Sequence, residues 1–143
     1  MKRRLFNMLA AVSLVVTTIA AAAMGLTSVV LPVLIFRPRW HSSGLWPVVT
    51  TGVEEMSWLT LLLLLLSGLV IGCWSNMRPV VLGLLTMAGL PAVAVLDMIA
   101  NPKSHNLFPF EFAIYAALSL IAAAGAYAAQ GVRRAMRTTN ISA

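Results

Sequence analysis

With 60% hydrophobic residues, and only ten Lys and Arg and four Asp and Glu in 143 positions, the chain has too little polar surface for a water-soluble domain. Its formal charge of +6 sits in small basic groups beside apolar runs. They do not form the continuous stripe that a nucleic-acid backbone requires, which excludes nucleic acid and favours anionic lipid headgroups. The single cysteine, Cys73, excludes an intramolecular disulfide and a CxxC redox centre.

Lys2, Arg3 and Arg4 open the chain, and residues 5–36 follow without a charged side chain. This apolar stretch continues well past the small residues at 20–23. It is too long for the core of a cleaved signal peptide and predicts an uncleaved signal anchor, with a first span over residues 8–34. As one straight helix, the stretch would reach roughly 48 Å against a hydrocarbon core of about 30 Å, so it has to tilt, bend or project. Gly25 weakens its middle, and Pro32 marks the approach to its far end.

Residues 37–55, RPRWHSSGLWPVVTTGVEE, are rich in Pro, Gly, Ser and Trp. They predict a loop along the membrane with Trp40 and Trp46 as interfacial anchors. Glu54 and Glu55 then precede a helix N-terminus, which favours negative charge. Residues 56–74, MSWLTLLLLLLSGLVIGCW, form the clearest span. They carry no charge, reach roughly 28 Å as a helix, and place Trp58 and Trp74 near the two interfaces.

Residues 75–78 leave room only for a tight turn, and Pro79 suits the first position of a third span over 79–100. Pro91 removes the backbone bond to the Met87 carbonyl, which predicts a kink between 87 and 91. The fourth span, 110–130, is rich in alanine. Residues 133–143, carrying Arg133, Arg134 and Arg137, predict a basic, disordered tail.

Four spans put both termini on one side. Lys2, Arg3, Arg4, Arg78, Arg133, Arg134 and Arg137 fall on that side, and Arg37, Arg39 and Lys103 fall opposite, so both termini are expected in the cytoplasm. Small residues four apart allow close helix contact: Gly68 with Gly72, Ala21 with Gly25, and Gly125 with Ala129. Packing within one bundle is favoured over a dedicated dimer face.

The chemistry-bearing residues are few. His41, His105, Glu54, Glu55, Asp97 and Glu111 share one predicted side but match no metal-ligand spacing, and no catalytic residue set, cofactor site or metal site is expected. Asp97 and Glu111, with His105 in the loop between them, form the one candidate ion or proton site, because an acid in an apolar segment is a functional candidate by default.

The expected fold is an all-α bundle of four transmembrane helices, multi-pass in a membrane, with the bacterial cytoplasmic membrane favoured. The expected function is non-enzymatic, as an accessory subunit or scaffold of the cell envelope. Its partners would be the lipid bilayer and either another membrane protein or a second copy of the chain. The alternative is a small proton- or cation-coupled transporter or channel using Asp97 and Glu111, although transporters usually bind nearer the bilayer midplane.

Overall fold

A computed structural model describes residues 2–36, 45–100 and 108–139, and among these the chain forms helices and no strand. In chain order they are α1 (Lys2–Phe36), α2 (Leu45–Glu54), α3 (Trp58–Trp74), α4 (Pro79–Met87), α5 (Gly89–Ala100) and α6 (Phe108–Thr139). Three segments are long and apolar enough to cross a membrane: Arg3–Phe36, Pro79–Ala100 across α4 and α5, and Phe110–Thr138. The leucine-rich α3 is shorter, at 17 residues.

Local chemistry sets several of these boundaries. The Ser57 hydroxyl accepts the Thr60 backbone N–H at 3.3 Å, an N-cap that starts α3 two residues later than the predicted 56. Its far end closes with the Ser75 N–H donating to the Ile71 carbonyl at 2.9 Å. Pro79 takes the start of α4, where its missing N–H costs nothing. The kink expected before Pro91 falls at Ala88, whose N–H reaches back only three residues, to the Leu85 carbonyl at 3.1 Å.

Two expectations are corrected, and a third element is longer than its expected span. The segment 37–55 is not all loop: Leu45–Glu54 is helical, because Pro47 lies in the first turn, where proline is tolerated, and Gly52 lets the helix approach α1. The chain does not become a tail at 133. The helix α6 runs through Arg133, Arg134 and Arg137 to Thr139, since Gly131 alone cannot stop a helix flanked by good helix formers. The first helix begins at Lys2 and so includes the basic residues ahead of the predicted span.

Two buried clusters fix the direction of each helix. One gathers Ala21, Ile71, Leu82 and Ala126, and the other gathers Val29, Val49, Leu64, Met87, Leu90, Tyr115 and Leu118. From the first cluster to the second, residue numbers rise in α1 and in α4–α5 but fall in α3 and α6. The pair α1 and α4–α5 therefore runs one way, and the pair α3 and α6 the other. The helix α6 packs most extensively, against α3 and α4, and α1 packs on α2, α3 and α4.

Several buried hydroxyls within these helices are satisfied locally. The hydroxyls of Ser28, Ser67 and Thr86 each donate to the carbonyl four residues earlier, at 2.7, 2.7 and 2.8 Å. The Ser28 and Ser67 Oγ atoms also stand 2.9 Å apart in the interior, and since each hydroxyl has one proton, whichever donates across this contact to tie α1 to α3 gives up its own carbonyl bond.

Candidate functional site

The small residues lie where helices touch backbone to backbone. A Cβ at Gly68 would overlap the Ala122 carbonyl, and one at Gly125 would overlap the Leu65 carbonyl. At Gly72 it would stand 2.8 Å from the Ala126 Cα and 3.0 Å from the Ala129 Cβ. The pairs Gly68–Gly72 and Gly125–Ala129 thus face each other across the α3–α6 contact. Ala21 is fully buried, and a Cβ at Gly25 would overlap the Thr86 carbonyl of α4. Gly83, not singled out in the sequence, does the same for α4, where a Cβ would overlap the Ser119 carbonyl of α6.

The helix directions segregate charge. Among the described residues, Glu54, Glu55, Asp97 and Glu111 lie at the end where α2 and α5 finish and α6 begins. Lys2, Arg3, Arg4, Arg78, Arg133, Arg134 and Arg137 lie at the opposite end.

At the acidic end, Asp97 is half-buried in the last turn of α5, and Glu111 is half-buried in the first turn of α6. Glu111 Oε2 is itself buried, with no hydrogen-bond partner among the described residues. An oxygen so placed is costly unless it holds a proton or a cation. His105, the third member of the predicted site, lies outside the described residues, as do His41, Arg37, Arg39 and Lys103. No group of three or more His, Cys, Asp or Glu side chains among the described residues could hold a metal ion.

The basic end carries a polar arrangement that sequence reasoning missed. Past Trp74 the last carbonyls of α3 have no helical partner, and α6 supplies donors to this end. Arg133 Nη1 donates to the Cys73 carbonyl at 2.9 Å, and its Nη2 donates to the Ser75 carbonyl at 3.1 Å and to Asn76 Oδ1 at 2.7 Å. Gln130, buried one turn earlier, donates from Nε2 to the carbonyls of Met77 at 2.8 Å and Ser75 at 3.3 Å. The cation also opposes the negative end of the α3 dipole. The available signal was a Gln and an Arg three apart at the end of an apolar helix, which places both on one face.

Comparison of the chain with known protein families, curated proteins and solved structures finds no match.

Proposed function

We propose that the chain is a multi-pass integral membrane protein with four spans and both termini in the cytoplasm, which acts by contact as an accessory subunit or scaffold of the bacterial cell envelope. The membrane reading draws on the outer surface, where Leu96, Ile99 and Leu120 are 65%, 73% and 65% exposed, a coat that water would not tolerate. The short α3 completes the four: it lies between α1 and α6, and its exposed Trp58 and Trp74 stand about 24 Å apart, suited to the two interfaces. Charge segregation supports the orientation, since the seven basic residues at one end favour the cytoplasmic side. With Cys73→Ala as background, single cysteines at Ser43 and Ser104 are expected to react with an impermeant thiol reagent in intact cells, and one at Thr138 is not. Labelling at Thr138 alone reverses the orientation.

One observation carries the contact function. Every described side chain from position 3 to position 16 of α1 is exposed, so about four turns of helix bury no described side chain against the rest of the fold. The glycine contacts between α3, α4 and α6 meanwhile close the interior. A photo-crosslinking residue at Met8 or Val12 is therefore expected to capture a single stoichiometric protein in cells, whereas one at Leu96 captures none. Crosslinks to lipid alone at all three positions would overturn the reading.

A second reading rests on Glu111. Its buried Oε2, without a hydrogen-bond partner among the described residues, suits a proton or cation site, together with Asp97 at the same end. Vesicles reconstituted with the protein should then show a proton or cation flux that falls to background in Asp97→Asn and Glu111→Gln. A wild-type protein silent across cations and pH removes this reading for those ions.

A further inference from the structure

We propose that the groove between α3 and α6 at the basic end binds one anionic phospholipid, with an acyl chain in the groove and the headgroup phosphate on Arg133. The groove has a volume of about 290 Å³ and is lined by Leu69, Cys73, Ala128, Val132 and Met136, with Arg133 among them. That size is near the lower end of small-molecule sites, about 300–1,000 Å³, and suits a length of hydrocarbon rather than a whole lipid.

The argument turns on what Arg133 leaves unused. Its three hydrogen bonds all end on neutral oxygens, so among the described residues the charge is held in place and not neutralised. A guanidinium has five N–H groups, and these contacts occupy one on Nη1 and both on Nη2, leaving the Nε–H and the second Nη1–H, on different edges of the plane, so a phosphate can accept from one of them while it feels the full charge. Arg134 and Arg137 stand nearby on exposed turns of the same helix and add to the field. An apolar slot ending at a preorganised, uncompensated arginine is complementary to an anionic headgroup with a hydrocarbon tail. A zwitterionic headgroup or a tail-less phosphate would each use half of it.

The site rests on the membrane reading above, because the groove has to open at headgroup level. It does not depend on which leaflet that is or on any protein partner. The test uses the full chain in mild non-ionic detergent, titrated with dioleoyl phosphatidylglycerol or dioleoyl phosphatidylcholine, with bound lipid counted by native mass spectrometry. One phosphatidylglycerol is expected to be retained about fivefold more tightly than phosphatidylcholine, the ratio expected from one juxtamembrane arginine, and Arg133→Gln should erase the difference. Val132→Trp and Ala128→Trp fill the groove from exposed positions and should weaken both lipids without disturbing packing. They decide the matter even if Arg133→Gln does not fold. Equal retention of the two lipids by the wild type, full retention by the tryptophan variants, or binding of glycerol 3-phosphate as tight as that of phosphatidylglycerol overturns the proposal. A membrane protein with no lipid preference would fail this test and still pass the labelling experiment.

Discussion

Replacing Gly68 and Gly72 together by leucine is expected to separate α3 from α6 and to abolish a sharp thermal transition in detergent. A Cβ alone at Gly68 already overlaps the Ala122 carbonyl, and at Gly72 it meets the Ala126 Cα at 2.8 Å, so the new atoms face backbone that cannot rotate away. Overpacking costs about 1–3 kcal/mol per site, and two sites on one contact bring the loss to about 2–6 kcal/mol, much of the 5–15 kcal/mol that holds a typical domain. Gly131→Ala is the control. Nothing lies within 4 Å of its Cβ position, and α6 should gain up to about 1 kcal/mol from the better helix former. An unchanged melting temperature in the double leucine variant would mean that α3 and α6 do not meet through these glycines.

The second large effect is expected at the turn between α3 and α4. Removing both donors in Gln130→Ala/Arg133→Ala strands the carbonyls of Cys73, Ser75 and Met77. Hydrogen bonds from a charged donor contribute about 1.5–3 kcal/mol and neutral ones about 0.5–1.5, and water reaching the half-exposed Arg133 recovers part of this, so a loss of about 2–4 kcal/mol is expected. Arg133→Lys should rescue little. An ammonium carries charge but lacks the planar fork that spans Cys73, Ser75 and Asn76 at once. Denaturation in a graded detergent series measures both variants against the wild type. Full rescue by lysine would show that charge opposite the α3 dipole matters and the fork does not.

Some of this was legible in the sequence and some was not, for reasons that differ by element. In α3 the run at 61–66 is leucine on every face, so apolar character cannot say which side turns inward. Leu64 is fully buried, yet Leu61, Leu62, Leu65 and Leu66 are exposed. The buried face is instead marked by Thr60, Ser67, Gly68 and Gly72, residues chosen for size, and these could be read. The break at Ala88 was legible because proline chemistry is local. The helix α2 was not, because its Pro, Gly and Thr content argues for a loop, and only the fit of Gly52 against Val29 of α1 decides otherwise. The role of Arg133 was hidden for a similar reason. Its hydrogen-bond partners lie about 60 residues earlier, and a basic residue after an apolar span reads first as a solvated charge.

The dominance of α6 in the packing has a consequence for how the protein comes to exist. During synthesis α1, α3 and α4 emerge first, yet Gly68, Gly72 and Gly83 abut backbone that only α6 provides. Until the ribosome has released the last helix, these notches face nothing that fits them, and the α3–α4 turn waits for the donors at 130 and 133. The early segments therefore lack their two most extensive contacts, α3 with α6 and α4 with α6, until the final helix arrives as the keystone of the packing.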